Sequence, residues 1–136
     1  MVLEYASFDA MDKISAAVDA DPGYQKGAAA FGALPGQNYV RMERQVMRSF
    51  ETVPAIEVPK PAAKPRIFEL RTYASNTRTS LKKKIGMFDN GEIAIFRKTG
   101  LQPVFFGDVL IGDNLPNLTY MLAFDNLAAR EANWAQ

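Results

Sequence analysis

The stretch Ile67-Phe-Glu-Leu-Arg-Thr-Tyr73 decides the fold, because its residues alternate as they do in a half-buried β-strand. Alternate side chains fall on two faces, Phe68, Leu70 and Thr72 on one and Glu69, Arg71 and Tyr73 on the other. A helix over about 80–99 follows and ends at Gly100, and two further strands are predicted over 104–111 and 118–124. We expect the middle strand to be interrupted at Gly107. This order indicates an α+β domain with an antiparallel sheet and helices on one face.

The predicted helix carries one carboxylate on its apolar side. Helical spacing places Glu92 on a stripe formed by Leu81, Ile85, Phe88, Ile95 and Phe96. A carboxylate removed from water at this position would act as a base or bind a ligand, so Glu92 is the sharpest candidate for a site residue. Two structural interpretations compete with that role. Either Glu92 forms an ion pair with Arg71 or Arg97, or the helix places Glu92 at the edge of its apolar face.

Composition excludes several kinds of site. The chain of 136 residues has no cysteine and no histidine, which excludes disulfides, thiolate catalysis, metal ligation by either residue and histidine acid–base chemistry. A net charge of +1 gives no strong field for nucleic acid or an acidic membrane surface. No apolar run approaches the roughly 20 residues that span a bilayer. We expect a soluble cytoplasmic protein without cofactor, metal ion, nucleic-acid partner or membrane span.

The first part of the chain is predicted to form a strand, a helix and a second strand. Val2–Phe8 has the composition of a short strand, and Asp9 is placed to cap a helix over about 10–20. The second strand is predicted over Tyr39–Phe50, where apolar and charged residues alternate. This part of the chain therefore reads as β-α-β.

A proline-rich stretch separates the two halves. Residues 53–66 contain four prolines, Pro54, Pro59, Pro61 and Pro65, which is typical of a semi-rigid extended linker. We expect three segments on this basis: a β-α-β segment over 1–52, the linker over 53–66, and a β-α-β-β-α segment over 67–136.

The two ends of the chain carry similar patterns. Leu3-Glu-Tyr-Ala-Ser-Phe-Asp9 aligns with Thr119-Tyr-Met-Leu-Ala-Phe-Asp125, and both read as a strand, a Phe-Asp cap and a helix. If this is a duplication, the chain joins the back of one β-α-β-β-α-β unit to the front of the next, a ferredoxin-like topology in permuted or tandem-fragment order. Chance is the alternative, because Phe-Asp is common before helices. A duplicated strand would need a partner chain to complete its sheet.

The segment from Ile67 to Gln136 resembles the NIPSNAP family. Four stretches carry the resemblance: Ile67-Phe-Glu-Leu-Arg-Thr-Tyr73, Met87-Phe-Asp-Asn-Gly-Glu-Ile-Ala-Ile-Phe-Arg97, Thr99-Gly-Leu-Gln-Pro-Val-Phe-Phe-Gly107 and Leu115-Pro-Asn-Leu-Thr-Tyr-Met-Leu-Ala-Phe-Asp125. Val2–Phe50 is more weakly similar to the back of a preceding unit. The resemblance implies a ferredoxin-like unit of the dimeric α+β barrel type, in which two sheets pack face to face. It implies no catalytic residues, because none define the family.

Two functions are compatible with these observations. The first is a module of uncharacterised activity that acts by dimerising, as a homodimer or with another sheet-completing protein chain. The alternative is a small dimeric α+β barrel enzyme, similar to monooxygenases or isomerases, with a small apolar or aromatic ligand between the sheets. In that case Glu92, Arg71 and Tyr73 would be the polar groups of the site. Trp134 is predicted to anchor the last helix.

Overall fold

The computed structural model describes residues 1–60 and 66–136, which form two compact units, Met1–Glu43 and Arg44–Gln136. The boundary between the units therefore precedes the proline-rich stretch that the sequence predicts as a linker. Val53, at the start of that stretch, is buried in the core of the second unit, so this part of the chain packs onto a domain. The predictions for Pro61 and Pro65 lie outside the described residues. The assignment of residues 1–52 to a preceding unit of the same family stays a prediction.

The first unit consists of two helices, α1 (Phe8–Ala20) and α2 (Pro22–Gly32). Ser7 caps α1, since its hydroxyl accepts a hydrogen bond from the Ala10 N–H at 3.0 Å. Asp21 caps α2 in the same way, through the Tyr24 N–H at 2.7 Å, and Pro22 occupies the first helical position. One aspartate therefore both separates the helices and begins the second.

The strand predicted at Val2–Phe8 is wrong. Strands need a hydrogen-bonding neighbour, and the described residues of this unit supply helices instead. Asp9 is not the cap, because Ser7 begins the helix two residues earlier and Asp9 pairs with Lys13 at 2.8 Å inside it. Phe8 therefore opens a helix, whereas its aligned counterpart Phe124 closes a strand, so the two ends of the chain do not adopt the duplicated structure that their patterns suggested.

The second unit is built on a four-stranded antiparallel sheet. Its strands are β1 (Val46–Ser49), β2 (Ile67–Ala74), β3 (Gln102–Ile111) and β4 (Asn117–Phe124), in the spatial order β1-β3-β4-β2. The last three strands follow the connectivity predicted for the 67–136 segment. The α+β class with antiparallel strands and a ferredoxin-like arrangement is confirmed.

The edge strand β1 is much shorter than the predicted Tyr39–Phe50. It pairs with the end of β3, from Val46 opposite Ile111 to Ser49 opposite Gly107, and its register is irregular at its start. The predicted interruption of the middle strand at Gly107 is wrong, because β3 runs through it. Glycine instead allows β1 to pack closely on β3, because a Cβ at this position would lie 2.7 Å from the Cβ of Met47.

The helical layer covers one face of the sheet. It consists of α3 (Arg78–Met87), a π-helical segment (Phe88–Glu92), α4 (Ile93–Lys98) and α5 (Leu127–Trp134). Thr77 caps α3 through the Ser80 N–H at 3.0 Å, and Asn126, rather than Asp125, caps α5 through the Ala129 N–H at 2.8 Å.

Because of the π-helical segment, the residues that face the core differ from those of the predicted apolar stripe. A π turn contains one residue more than an α turn, so every later position is rotated relative to an uninterrupted helix. As a result Ile93 is fully buried, while Ile95, predicted to face the core, is 56% exposed. Glu92 lies at the end of the π turn and is half-buried beside the core rather than within it.

Aromatic rings dominate the core between sheet and helices. Phe106 of β3 stacks on Tyr120 of β4 with ring centroids 4.6 Å apart and planes 4° apart. Phe88 from the π-helical segment packs against both rings, at 5.6 Å from each. Phe50 adds a further ring next to Phe106. Burial of these large side chains supplies much of the free energy that holds the helices on the sheet.

Candidate functional site

The predicted polar row of β2 lies on the helix-facing side of the sheet. In the β2–β4 register, Glu69 stands opposite Leu122, Arg71 opposite Tyr120, and Tyr73 opposite Leu118. Tyr120 and both leucines belong to the buried core, so side chains opposite them point to the same side. The row therefore lies on the side of the sheet that the helices cover.

Two tyrosine hydroxyls meet at the centre of this row. The Tyr73 and Tyr120 hydroxyl oxygens are 3.0 Å apart, and their rings meet edge to face with centroids 5.5 Å apart. Burial raises the pKa of Tyr120 above its ordinary value of 10.0, and the hydrogen bond to Tyr73 raises it further. Tyr120 is thus a neutral hydrogen-bonding group at physiological pH and not a base.

Charged groups surround the tyrosine pair. The Glu69 carboxylate accepts a hydrogen bond from Arg130 of α5 and pairs with the Arg71 Nε at 3.3 Å. The Arg71 guanidinium also lies 4.5 Å from the ring centre of Trp134. These contacts join β2 to α5, and they agree with the predicted role of Trp134 as an anchor of the last helix. We call Glu69, Arg71, Tyr73, Tyr120, Arg130 and Trp134 the strand–helix cluster.

The strand–helix cluster is largely satisfied by its own members. The exception is the Trp134 Nε1, which is buried without a hydrogen-bond partner among the described residues. Two surface cavities of the described chain lie elsewhere. One of about 410 Å³ is lined by Glu57, Val58, Pro59, Arg97, Gly100, Leu101, Gln102 and Pro103, and one of about 240 Å³ by Arg78, Val109, Leu110, Leu115 and Pro116. Neither cavity includes a cluster residue.

The structure separates the three predicted site residues. Arg71 and Tyr73 belong to the strand–helix cluster, whereas Glu92 lies on the π-helical segment. Neither alternative partner binds Glu92, because Arg71 pairs with Glu69 and Arg97 pairs with Glu57 at 2.7 Å. No hydrogen bond or ion pair of the Glu92 side chain is found within residues 1–60 and 66–136. A catalytic role for these residues stays a prediction, and the geometry does not make them converge.

The opposite face of the sheet differs in character. On strands β3 and β4, Val104, Phe105 and Ala123 form a buried cluster against which Met47 and Ile56 pack. Along β2 this face is open, since Phe68 is 52% exposed and Leu70 is 60% exposed, while Met121 of β4, beside Leu70, is half-buried and packs against this cluster. We call Phe68, Leu70 and Met121 the open-face patch. An antiparallel sheet usually presents polar residues on an uncovered face, so exposed apolar residues here depart from that pattern.

Sequence reasoning missed several members of these two surfaces. Tyr120 and Arg130 were not singled out, because their significance depends on pairing with β2 from a distant part of the chain. The alternation of β2 did place Phe68 and Leu70 together and opposite to Arg71. The sequence alone does not show which face of the sheet the helices cover.

Two further observations concern classes of function. Among the described residues no group of three or more carboxylates is arranged to hold a metal ion. None of the described helices is long and apolar enough to cross a membrane.

Comparison with known proteins identifies the second unit. The family model NIPSNAP matches residues 68–136, which include β2, the helical layer, β3 and β4. No curated protein and no solved structure matches the chain. The match covers half of the chain and includes three of the four strands, apart from Ile67, and the whole strand–helix cluster, so the chain belongs to the NIPSNAP family.

Proposed function

We propose that this chain acts as a dimerising, partner-binding module through the open-face patch. The observation that supports this most is the exposure of Phe68 and Leu70 on a regular strand whose other face is half-buried under the helices. Large apolar side chains grouped on an uncovered sheet are typical of a face that another protein covers. The burial of such side chains contributes about 1.5–3 kcal/mol each when it is complete.

The arrangement of the sheet favours a protein partner over a small ligand. The patch lies on neighbouring strands, β2 and β4, and none of its residues lines either of the two cavities described above. A second sheet packed at about 10 Å would cover it, as two sheets cover each other in β-sandwiches.

The enzyme alternative receives less support. Arg71 and Tyr73 are engaged by Glu69, Trp134 and Tyr120, and Glu92 lies on another element. An active site of this type requires polar groups that converge on an enclosed space. Replacement of Glu92 by glutamine tests this alternative: we expect unchanged thermal stability and unchanged binding of small apolar or aromatic ligands, whereas loss of ligand binding in the folded variant would support the enzyme.

A pair of lysine substitutions tests the proposed function. Met121→Lys puts a charge into the open-face patch from the inner strand β4, and Ile95→Lys puts the same charge at an exposed apolar residue of α4. We expect the first to weaken self-association about tenfold or more in sedimentation equilibrium, since a buried unpaired charge is costly, and the second to leave it unchanged. Equal association of the two folded variants would contradict the proposal.

A further inference from the structure

The smaller of the two cavities combines one charged group with apolar walls. It has a volume of about 240 Å³ and lies between the start of α3 and the end of the β3–β4 hairpin, where it is lined by Arg78, Val109, Leu110, Leu115 and Pro116. We call this space the hairpin cavity. Arg78 is the one charged residue of its described lining. Apolar walls with a single charged group are suited to a small ligand that has one charged end.

Hydrogen bonds hold the loop that forms one wall of the hairpin cavity. The fully buried Asn117 side chain donates to the Asp113 carbonyl at 2.9 Å and to the Asn114 carbonyl at 3.1 Å. The Ser75 N–H donates to the Pro116 carbonyl at 2.9 Å and joins the loop to the end of β2. This wall is therefore fixed before a ligand binds, which lowers the entropic cost of binding.

The Arg78 guanidinium keeps one edge free for a ligand. Its Nη1 and Nη2 atoms each donate to one oxygen of the Asp108 carboxylate. A guanidinium has five N–H donors, so the Nε–H and one hydrogen on each Nη are left over. Within residues 1–60 and 66–136 these donors bind no other group, and 44% of the Arg78 side chain is exposed. The edge formed by Nε and one Nη can donate two parallel hydrogen bonds to a second carboxylate.

The charges beside the hairpin cavity favour an anion. Arg78 neutralises the buried carboxylate of Asp108. In the β1–β3 register Arg48 stands opposite Asp108, so both side chains project from the same face of the sheet. Arg48 is exposed and belongs to none of the ion pairs among the described residues. The two arginines and one carboxylate therefore leave one positive charge in excess.

We propose that the hairpin cavity binds a small monocarboxylate with an apolar body. The ligand carboxylate accepts two hydrogen bonds from the free edge of Arg78, and the body of the ligand lies against Leu110 and Leu115. The volume is below the roughly 300–1,000 Å³ of pockets for drug-sized ligands, so the ligand is of the size of benzoate. An inorganic anion would bind Arg78 but leave the apolar walls in water. The site shares no residue with the open-face patch and is independent of the proposed association.

Titration of the full chain with sodium benzoate, followed by NMR of the backbone amides, tests the ligand class. We expect saturable shifts of the amide signals of Arg78, Leu110 and Leu115 with a Kd on the order of 1 mM. Benzamide, which has the same shape without the charge, and inorganic phosphate, which has charge without an apolar body, should each bind about tenfold more weakly. Equal binding of either probe would overturn the ligand class. Absence of saturable shifts, or shifts at Arg97 and Gln102 of the larger cavity instead, would overturn the site.

Matched arginine substitutions test the contact with the carboxylate. Arg78→Lys keeps a positive charge beside Asp108 but replaces the planar fork with one ammonium group. Arg97→Lys makes the same change at an arginine that also binds a carboxylate through two nitrogens and lines the larger cavity. We expect the affinity for benzoate to fall about tenfold in Arg78→Lys and to be unchanged in Arg97→Lys. Equal affinity of the two variants would overturn the Arg78 contact.

A cavity-filling substitution decides the question if Arg78→Lys fails to fold. Leu115→Trp enlarges a lining side chain that is 48% exposed, so it fills the hairpin cavity without disturbing the core. Ile111→Trp is the control, because Ile111 is 58% exposed on the same hairpin and does not line the cavity. We expect Leu115→Trp to abolish saturable benzoate binding and Ile111→Trp to retain it, with both variants folded by circular dichroism. Undiminished binding in Leu115→Trp would overturn the proposal.

Discussion

The two faces of the sheet differ in how far their large apolar side chains are buried. On the helix-facing side Phe106 and Tyr120 are 1% and 0% exposed and stack within a continuous aromatic core. On the other side Phe68 and Leu70 are more than half exposed. The contrast teaches that the aromatic core lies on the helix-facing side, whereas the other side carries a smaller packed cluster and leaves the apolar side chains of β2 free for association. Matched substitutions on the two faces test this division.

The largest expected effect comes from truncating the same residue type on each face. Phe106→Ala should lower the free energy of unfolding by about 3–5 kcal/mol, because it removes a buried ring and leaves a cavity among Phe50, Phe88 and Tyr120. Phe68→Ala should lower it by less than about 1 kcal/mol, since its ring is already half in water. Denaturant titration at low protein concentration measures both without a contribution from association.

Equal losses of unfolding free energy in Phe106→Ala and Phe68→Ala would contradict this difference between the two faces. A large loss in Phe68→Ala at low concentration would mean that the open-face patch already stabilises the single chain. A small loss in Phe106→Ala would mean that the core rearranges around the missing ring.

The next effect concerns two arginine–carboxylate pairs of different burial. Arg78 at the start of α3 binds both oxygens of Asp108, a β3 residue that is 6% exposed, and this hydrogen bonding raises the pKa of Arg78. Arg97 binds both oxygens of Glu57 on the surface. Arg78→Met should destabilise by about 2–3 kcal/mol, because it leaves a buried carboxylate unpaired. Arg97→Met should cost about 0–1 kcal/mol.

Thermal and denaturant unfolding of the two methionine variants provides the comparison. Both substitutions remove one guanidinium and keep an unbranched side chain, so the difference reports the burial of the partner carboxylate. If Arg97→Met were the more damaging variant, the helix-facing position of Asp108 would not explain its importance.

A smaller effect concerns the pH dependence of Tyr120. Since the pKa of Tyr120 is raised by burial and by Tyr73, the folded chain keeps its phenolic proton where the unfolded chain loses it. The resulting stability is complete below about pH 10 and is lost as pH rises further, by up to about 1.4 kcal/mol per pH unit. Tyr120→Phe should remove this alkaline loss relative to the native chain, as measured by denaturant titration between neutral and alkaline pH. An identical alkaline slope in the variant would show that other groups cause it.

The sequence was informative where a short pattern determines structure. Strict alternation in β2 placed Phe68 and Leu70 on one face and Arg71 on the other, and the register with β4 agrees. The turn-rich loop after Ile111 and the helix end at Gly100 also follow from local residue chemistry, the latter through a φ of 78° that favours glycine.

Other features depend on contacts that no local pattern records. The π turn at Phe88–Glu92 is joined to the loop after β1, where the Thr52 N–H donates to the Asp89 Oδ1 at 3.0 Å and the Thr52 hydroxyl donates to the Asp89 carbonyl at 3.1 Å. Its extra residue moved Glu92 off the apolar stripe on which regular spacing had placed it. The strand–helix cluster likewise unites Arg71 with Trp134 and Arg130 from the other end of the unit.

The smallest effect distinguishes two adjacent residues of β2 that point to opposite faces. Arg71→Met should lower the stability of the single chain by about 0.5–2 kcal/mol, because it removes the cation–π contact with Trp134 and the ion pair with Glu69. Leu70→Ala should change it by less than about 0.5 kcal/mol while weakening association. A Trp134 fluorescence shift in Arg71→Met alone would confirm that the guanidinium contacts the indole. A stability loss confined to Leu70→Ala would instead place the stabilising side of β2 on the open face, against the division of roles argued from burial.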